Sequence, residues 1–266
     1  MSSVRTEIRE AVAVIAVSNP PHGYMTDPLV RQLNKAFRAV ERDAHVRVVI
    51  FTGGEDGVFI QHYDLRELDT LSRKLNGRGQ RYDADTHVPE REMDLLFRAI
   101  ESSAKPVIAA LNGNVMGFGC ELALACDFRV IQAGPYLMGQ PEIRVGLVPG
   151  AGGTQRLARL VGPARALDLV LHGRRLSPAE ALAHGLVNEV AQSAVLEVAQ
   201  ARAKQLVAMS PTALAHAKKL VRQACDVPLY RGLDAERALF VDTLASPEGL
   251  ARVGAAIADG KDFRDI

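Results

Sequence analysis

Apolar positions alternate between two spacings up to about residue 190 and keep one spacing beyond it. Ala11 to Val17 is a continuous apolar, β-rich run that ends at the turn Asn19-Pro20-Pro21. Leu29, Leu33, Phe37 and Val40 then recur at helical spacing, with Asp27 as the expected N-cap and Pro28 at the first helical position. Val46 to Thr52 is a second apolar strand, suited to a sheet covered on both faces. Asp64 is expected to cap a short helix from Leu65 to Leu71, and residues 72–90 read as a polar surface loop. A helix at 92–100 leads into a buried strand at 106–111. A helix at 121–126, a strand at 128–131 and a helix at 154–161 follow. Ser177-Pro178-Ala179-Glu180 is a capping box that opens another helix, stopped by Gly185 and followed by a short strand at 186–190. The remainder reads as helices at 194–209, 211–225, 229–245 and 247–258, with Pro211, Pro228 and Pro247 near their starts. The expected layout is an α/β core over residues 1–190 and a helical region over 191–266.

Composition narrows the function classes. The 266 residues are 48% hydrophobic and carry a formal net charge of +1, which gives no broad basic footprint for nucleic acid. Cys120, Cys126 and Cys225 form no C-x-x-C pair, so neither a disulfide framework nor a structural zinc site is expected. Arg5, Glu7, Arg9 and Glu10 precede an apolar run too short to span a membrane, and the layout is not secretory. A cytoplasmic protein that binds no membrane is expected.

The candidate chemistry lies at two glycine turns. Gly117-Phe118-Gly119-Cys120-Glu121 joins a buried strand to a helix, and Gly139-Gln140-Pro141-Glu142 follows it. Glycines let backbone N–H groups approach a ligand, and carboxyl groups move protons. Chemistry beside a carbonyl needs both. The alternative for Glu121 is an acid favoured by a helix N-terminus, and for Glu142 a surface carboxylate. The first turn lacks the third glycine of a dinucleotide fingerprint, since Leu122 stands there. The seven histidines form no H-x-x-x-H pair with a fitting acid, and no metal is expected.

The stretch from Pro106 to Gly162 resembles the crotonase family, the enoyl-CoA hydratases and isomerases. Ala110-Leu111-Asn112-Gly113, the run from Gly117 to Arg129, Gly139-Gln140-Pro141-Glu142-Ile143 and the run from Gly146 to Leu157 carry the resemblance. It implies a crotonase-like spiral of ββα units with a C-terminal helical trimerisation region. It also implies an acyl-CoA thioester substrate, no separate cofactor because coenzyme A is part of that substrate, and a homotrimer or dimer of trimers. Tyr63 and Phe118 match the two positions whose backbone N–H groups hold the thioester oxygen. His62, Tyr63, Asp64, Leu65, Arg66, Phe118 and Gly119 match substrate-binding positions.

By the same match, Glu121 activates the water that adds to the β-carbon and Glu142 protonates the α-carbon. Single-function isomerases of the family usually keep one of the pair, so retention of both favours hydration. Another crotonase-type reaction (isomerisation, thioester hydrolysis or carbon–carbon lysis) and a non-catalytic binding role stay as alternatives. Gln61-His62-Tyr63 departs from the small Ala-Gly-Ala-like stretch usual before Asp64, and Phe118 replaces a glycine. His62 reads either as a hydrogen-bonded loop histidine or as a third titratable group beside the thioester. At 255–261 the aromatic residue and one of the basic residues expected to hold coenzyme A are missing, which leaves Lys261.

Overall fold

Side-chain alternation along the central strands sorts them onto two covered faces. The computed structural model describes residues 2–260 and 262. Strands β1 (Ser3–Arg9) and β2 (Val12–Ser18) form an antiparallel hairpin, followed by α1 (Asp27–Arg42) and β3 (Val48–Gly53). Helices α2 (Leu65–Asn76) and α3 (Glu92–Ser102) precede β4 (Val107–Leu111), β5 (Val115–Met116), α4 (Phe118–Ala125), β6 (Phe128–Gln132) and β7 (Met138–Gly139). A 3₁₀ turn at Glu142–Val145 leads to α5 (Gly153–Val161), α6 (Pro163–Leu171), β8 (Arg175–Leu176), α7 (Pro178–Ala183) and β9 (Glu189–Ala191). The chain continues with α8 (Val195–Ala208), α9 (Pro211–Gln223), α10 (Leu229–Ala245) and α11 (Pro247–Ala258).

One sheet has the order β1-β2-β3-β4-β6-β9, parallel from β2 onward, and a smaller one has the order β5-β7-β8. Ile15, Val49, Phe51, Ala109 and Leu111 point into the main core with α1 and α3. Their neighbours Val12, Val48, Ile50, Ile108 and Ala110 point to the other face, where Val195, Ala199 and Ala203 of α8 cover them. Helix α1 buries Leu29, Val30, Leu33, Phe37 and Val40, each burial contributing roughly 1.5–3 kcal/mol. By contrast, α9, α10 and α11 bury no residue, and Leu229, Phe240, Leu250 and Ile257 stand exposed.

Several elements depart from expectation for physical reasons. Strand β1 takes up the charged N-terminal stretch because antiparallel pairing with β2 supplies its backbone partners. Thr26, not Asp27, is the N-cap residue of α1. Helix α2 runs five residues past Leu71 although it buries nothing; the Asp69–Arg73 pair at 2.9 Å supports its exposed turns. Its predicted cap holds, since the Asp64 carboxylate accepts the Arg66 N–H at 2.8 Å. Helix α4 begins at Phe118 rather than Glu121, because Gly117 adopts φ +52°, which suits glycine. Strands β5, β7 and β8, each two residues long, and helix α6 had no clear sequence signal.

Candidate active site

The β4–α4 connection brings the two glutamates to one turn. Helix α4 is buried on all sides, so close approach is needed at its start. Gly119 provides it: a Cβ there would lie 1.9 Å from the Ile60 carbonyl oxygen. A Cβ on Gly117 would stand 3.0 Å from Glu142 Oε1 and 3.5 Å from the His62 Cβ. The Gly117 backbone is therefore flanked by Glu142 on one side and the His62 loop on the other.

Glu121 is 3% exposed. Its Oε1 accepts the N–H of Ala151 at 2.7 Å and of Gly153 at 3.0 Å, at the N-terminus of α5. Burial pushes its pKa above the ordinary carboxylate value, against the two N–H bonds and the charges of Arg156 and Arg91, which pull it down. Arg91 and Arg156 hold the loop that carries those donors. The Arg91 guanidinium donates to the Gly150 carbonyl oxygen at 2.5 Å, and Arg156 Nη1 donates to the Ala151 oxygen at 2.7 Å.

Glu142 opens the 3₁₀ turn after Pro141 and is half-buried. Burial, with the negative charge of Glu121 added, pushes its pKa up to about 7, against a backbone hydrogen bond that lowers it. Buried Gln140 donates its amide to both Glu142 oxygens, at 2.8 and 3.1 Å, when its nitrogen faces the carboxylate.

The segment 61–64 is fixed from both sides. Met25 N–H donates to the His62 oxygen and Asp64 N–H to the Met25 oxygen, both at 2.8 Å, while Met116 N–H donates to the Gln61 oxygen at 2.8 Å. Among the described residues, the N–H groups of Tyr63 and Phe118 meet no protein acceptor. The Tyr63 and Phe118 rings lie 6.1 Å apart, and Phe97 lies tilted 5.2 Å from Phe118, giving one aromatic wall. The Tyr63 hydroxyl donates to Asp27, and its pKa is raised by burial and by that bond.

His62 Nδ1 lies 2.7 Å from the Tyr63 oxygen and its ring stacks on Tyr24 at 4.4 Å, matching the hydrogen-bonded loop reading. Leu65 and Arg66 are exposed on the first turn of α2. Lys261 lies outside the described residues. Gln140, Arg91, Arg156 and the donors at 151 and 153 escaped the sequence reading, since only tertiary contact ties them to the carboxylates. The run Gly150-Ala151-Gly152-Gly153, with Gly152 at φ +94°, was the one available signal.

Comparison with known proteins agrees along nearly the whole chain. The family model described as enoyl-CoA hydratase/isomerase matches residues 7–252. A probable enoyl-CoA hydratase of Rhizobium meliloti is 34% identical over 259 residues, which cover 96% of this chain and 95% of that protein. The short-chain-enoyl-CoA hydratase of Clostridium acetobutylicum is 31% identical, over 89% of this chain and 88% of its own. The crystal structure of an enoyl-CoA hydratase from Polaromonas sp. JS666 superposes with a TM-score of 0.85 at 30% identity, covering 97% of each chain.

Proposed function

The chain belongs to the enoyl-CoA hydratase/isomerase family, and from that premise we propose that it adds water to a 2-enoyl-CoA thioester. The thioester oxygen sits between the N–H groups of Tyr63 and Phe118, which hold the enolate as it forms. Glu121 takes a proton from water, whose oxygen bonds to the β-carbon. Glu142 gives a proton to the α-carbon, and the net change is addition of one water. Proton exchange with solvent then restores both carboxyl groups.

One observation carries this reading: two carboxyl groups in different settings converge on one turn whose N–H is free. The Glu121 oxygen bound by two amides leaves its other oxygen for water. Glu142, pushed up to about 7, holds a proton near neutral pH and is suited to donate it. His62, Tyr63 and Phe118 line the acyl end of the site, and Asp64, Leu65, Arg66 and Gly119 stand along the same two segments. A purely binding role has no use for both acids, and an isomerase needs one.

The exposed apolar residues of α10 and α11 support a homotrimer or dimer of trimers. No helix among the described residues is long and apolar enough to cross a membrane. The free cysteines fit a cytoplasmic setting, which belongs to the same proposal.

Product analysis with a panel of enoyl-CoA esters tests the reading. It expects 3-hydroxyacyl-CoA from at least one member, formed about a hundredfold or more slowly by Glu121→Gln and Glu142→Gln. Shifted double bonds, free acid or cleaved carbon skeletons from the wild type would replace hydration with another reaction of the fold.

A further inference from the structure

The peptide unit joining Gly150 to Ala151 is gripped at both ends. Its N–H donates to Glu121 Oε1 at 2.7 Å, and its oxygen accepts from Arg91 Nη2 at 2.5 Å. The guanidinium is itself fixed. Arg91 Nε and Nη2 donate to the two oxygens of Asp94 at 2.9 and 3.1 Å, and the Arg91 N–H donates to Asp94 at 2.9 Å. A cation on a carbonyl oxygen polarises the amide and strengthens the N–H bond at its other end. Arg91 therefore reaches Glu121 in two ways, through an oriented peptide and through its own charge.

We propose that Arg91 is a positioning residue for Glu121, acting through the Gly150–Ala151 peptide to keep the carboxylate oriented and ionised. Its place at the start of α3 is far in sequence from the glycine turns, and it contacts neither the Tyr63 nor the Phe118 amide. The inference rests on Glu121 acting as base. Other charged groups share the corner: Arg156 from α5, paired with Glu101 at 2.6 and 2.8 Å; Glu142 from the 3₁₀ turn; and the Cys120 thiol on α4 itself, raised by burial. Arg156 grips the next carbonyl, that of Ala151, whose own peptide N–H does not touch Glu121. Of the two peptides that donate to Glu121, Arg91 grips the one between Gly150 and Ala151, which makes the shorter bond.

The sign follows directly. Arg91 favours the ionised carboxylate, so removing it makes Glu121 harder to deprotonate. In Arg91→Gln the acid limb of kcat/KM moves up by about one pH unit, lowering activity on that limb about tenfold. KM changes less than kcat, because Arg91 is not proposed to touch substrate. Arg91→Lys keeps the charge and one donor, and recovers part of the shift.

A second readout needs no turnover. The infrared band of the protonated Glu121 carboxyl, identified as the band lost in Glu121→Gln, titrates at higher pH in Arg91→Gln than in the wild type. An unchanged titration, or an activity loss equal at all pH values, overturns the proposal. If Glu121→Gln keeps full hydration activity, the proposed function falls, while the infrared titration still decides whether Arg91 controls Glu121.

Discussion

Glu121 and Glu142 flank one turn, and the two corners surround a carboxyl group differently. The Glu121 corner is dry, but it supplies two amide donors and two nearby arginines that favour the ionised form. The Glu142 corner is more open and supplies one buried amide, and its carboxyl rises to about 7. Burial alone does not assign acid and base. The donors and charges that accompany burial differ between the corners: burial raises both carboxyls, but only at Glu121 do two amides and two arginines pull against that rise.

Removing either carboxyl is the severest way to break the comparison. Glu121→Gln is expected to lower kcat by about 10²–10⁴-fold with KM little changed, measured by hydration of a short enoyl-CoA ester. Glu142→Gln is expected to fall in the same range, and its remaining activity loses the decline that the wild type shows as pH rises through about 7. A decline that persists in Glu142→Gln would assign that limb to another group.

Gly117→Ala strikes the boundary between the corners. Its φ of +52° strains an L-residue by about 1–3 kcal/mol, and the new methyl would press on Glu142 Oε1 at 3.0 Å. Activity is expected to fall about tenfold to a hundredfold, with Glu142 more displaced than Glu121. Equal loss in a Gly119→Ala variant would say little, because that methyl would strike the Ile60 backbone instead.

How much of this was readable beforehand differs between the corners. The glycine turns, both glutamates, the Asp64 cap and the Ser177 capping box are local patterns, and the structure carries them at the expected residues. Phe118 N–H and Tyr63 N–H were legible only through the family resemblance. The support of Glu121 was not legible, because Arg91, Ala151 and Gly153 reach it across 30 residues or more of sequence. Strand β1 was missed for a related reason: its partner, not its own polar sequence, makes it a strand.

Stability gives a smaller contrast. A carboxyl whose folded pKa is raised is best tolerated while protonated, so its contribution is lost as pH rises from the ordinary glutamate value through about 7. Glu142→Gln should therefore gain thermal stability over the wild type progressively across that window, by about 2–4 °C at most, since solvent screens a half-buried group. No gain at high pH would mean the corner does not penalise the charge. Smallest of all, Tyr63→Phe loses the hydroxyl bond to Asp27 but keeps the backbone N–H. Stability should drop by about 1 kcal/mol and kcat should change by less than about threefold, read by thermal melting and turnover.

The division of labour is tested most directly by a crystal structure of Glu142→Gln with a 3-hydroxyacyl-CoA bound. The account predicts the thioester oxygen within hydrogen-bond distance of both the Tyr63 and Phe118 nitrogens, the β-hydroxyl on the free oxygen of Glu121, and the α-carbon facing residue 142. A thioester oxygen bound elsewhere, or a β-hydroxyl resting on residue 142 instead of Glu121, would contradict it.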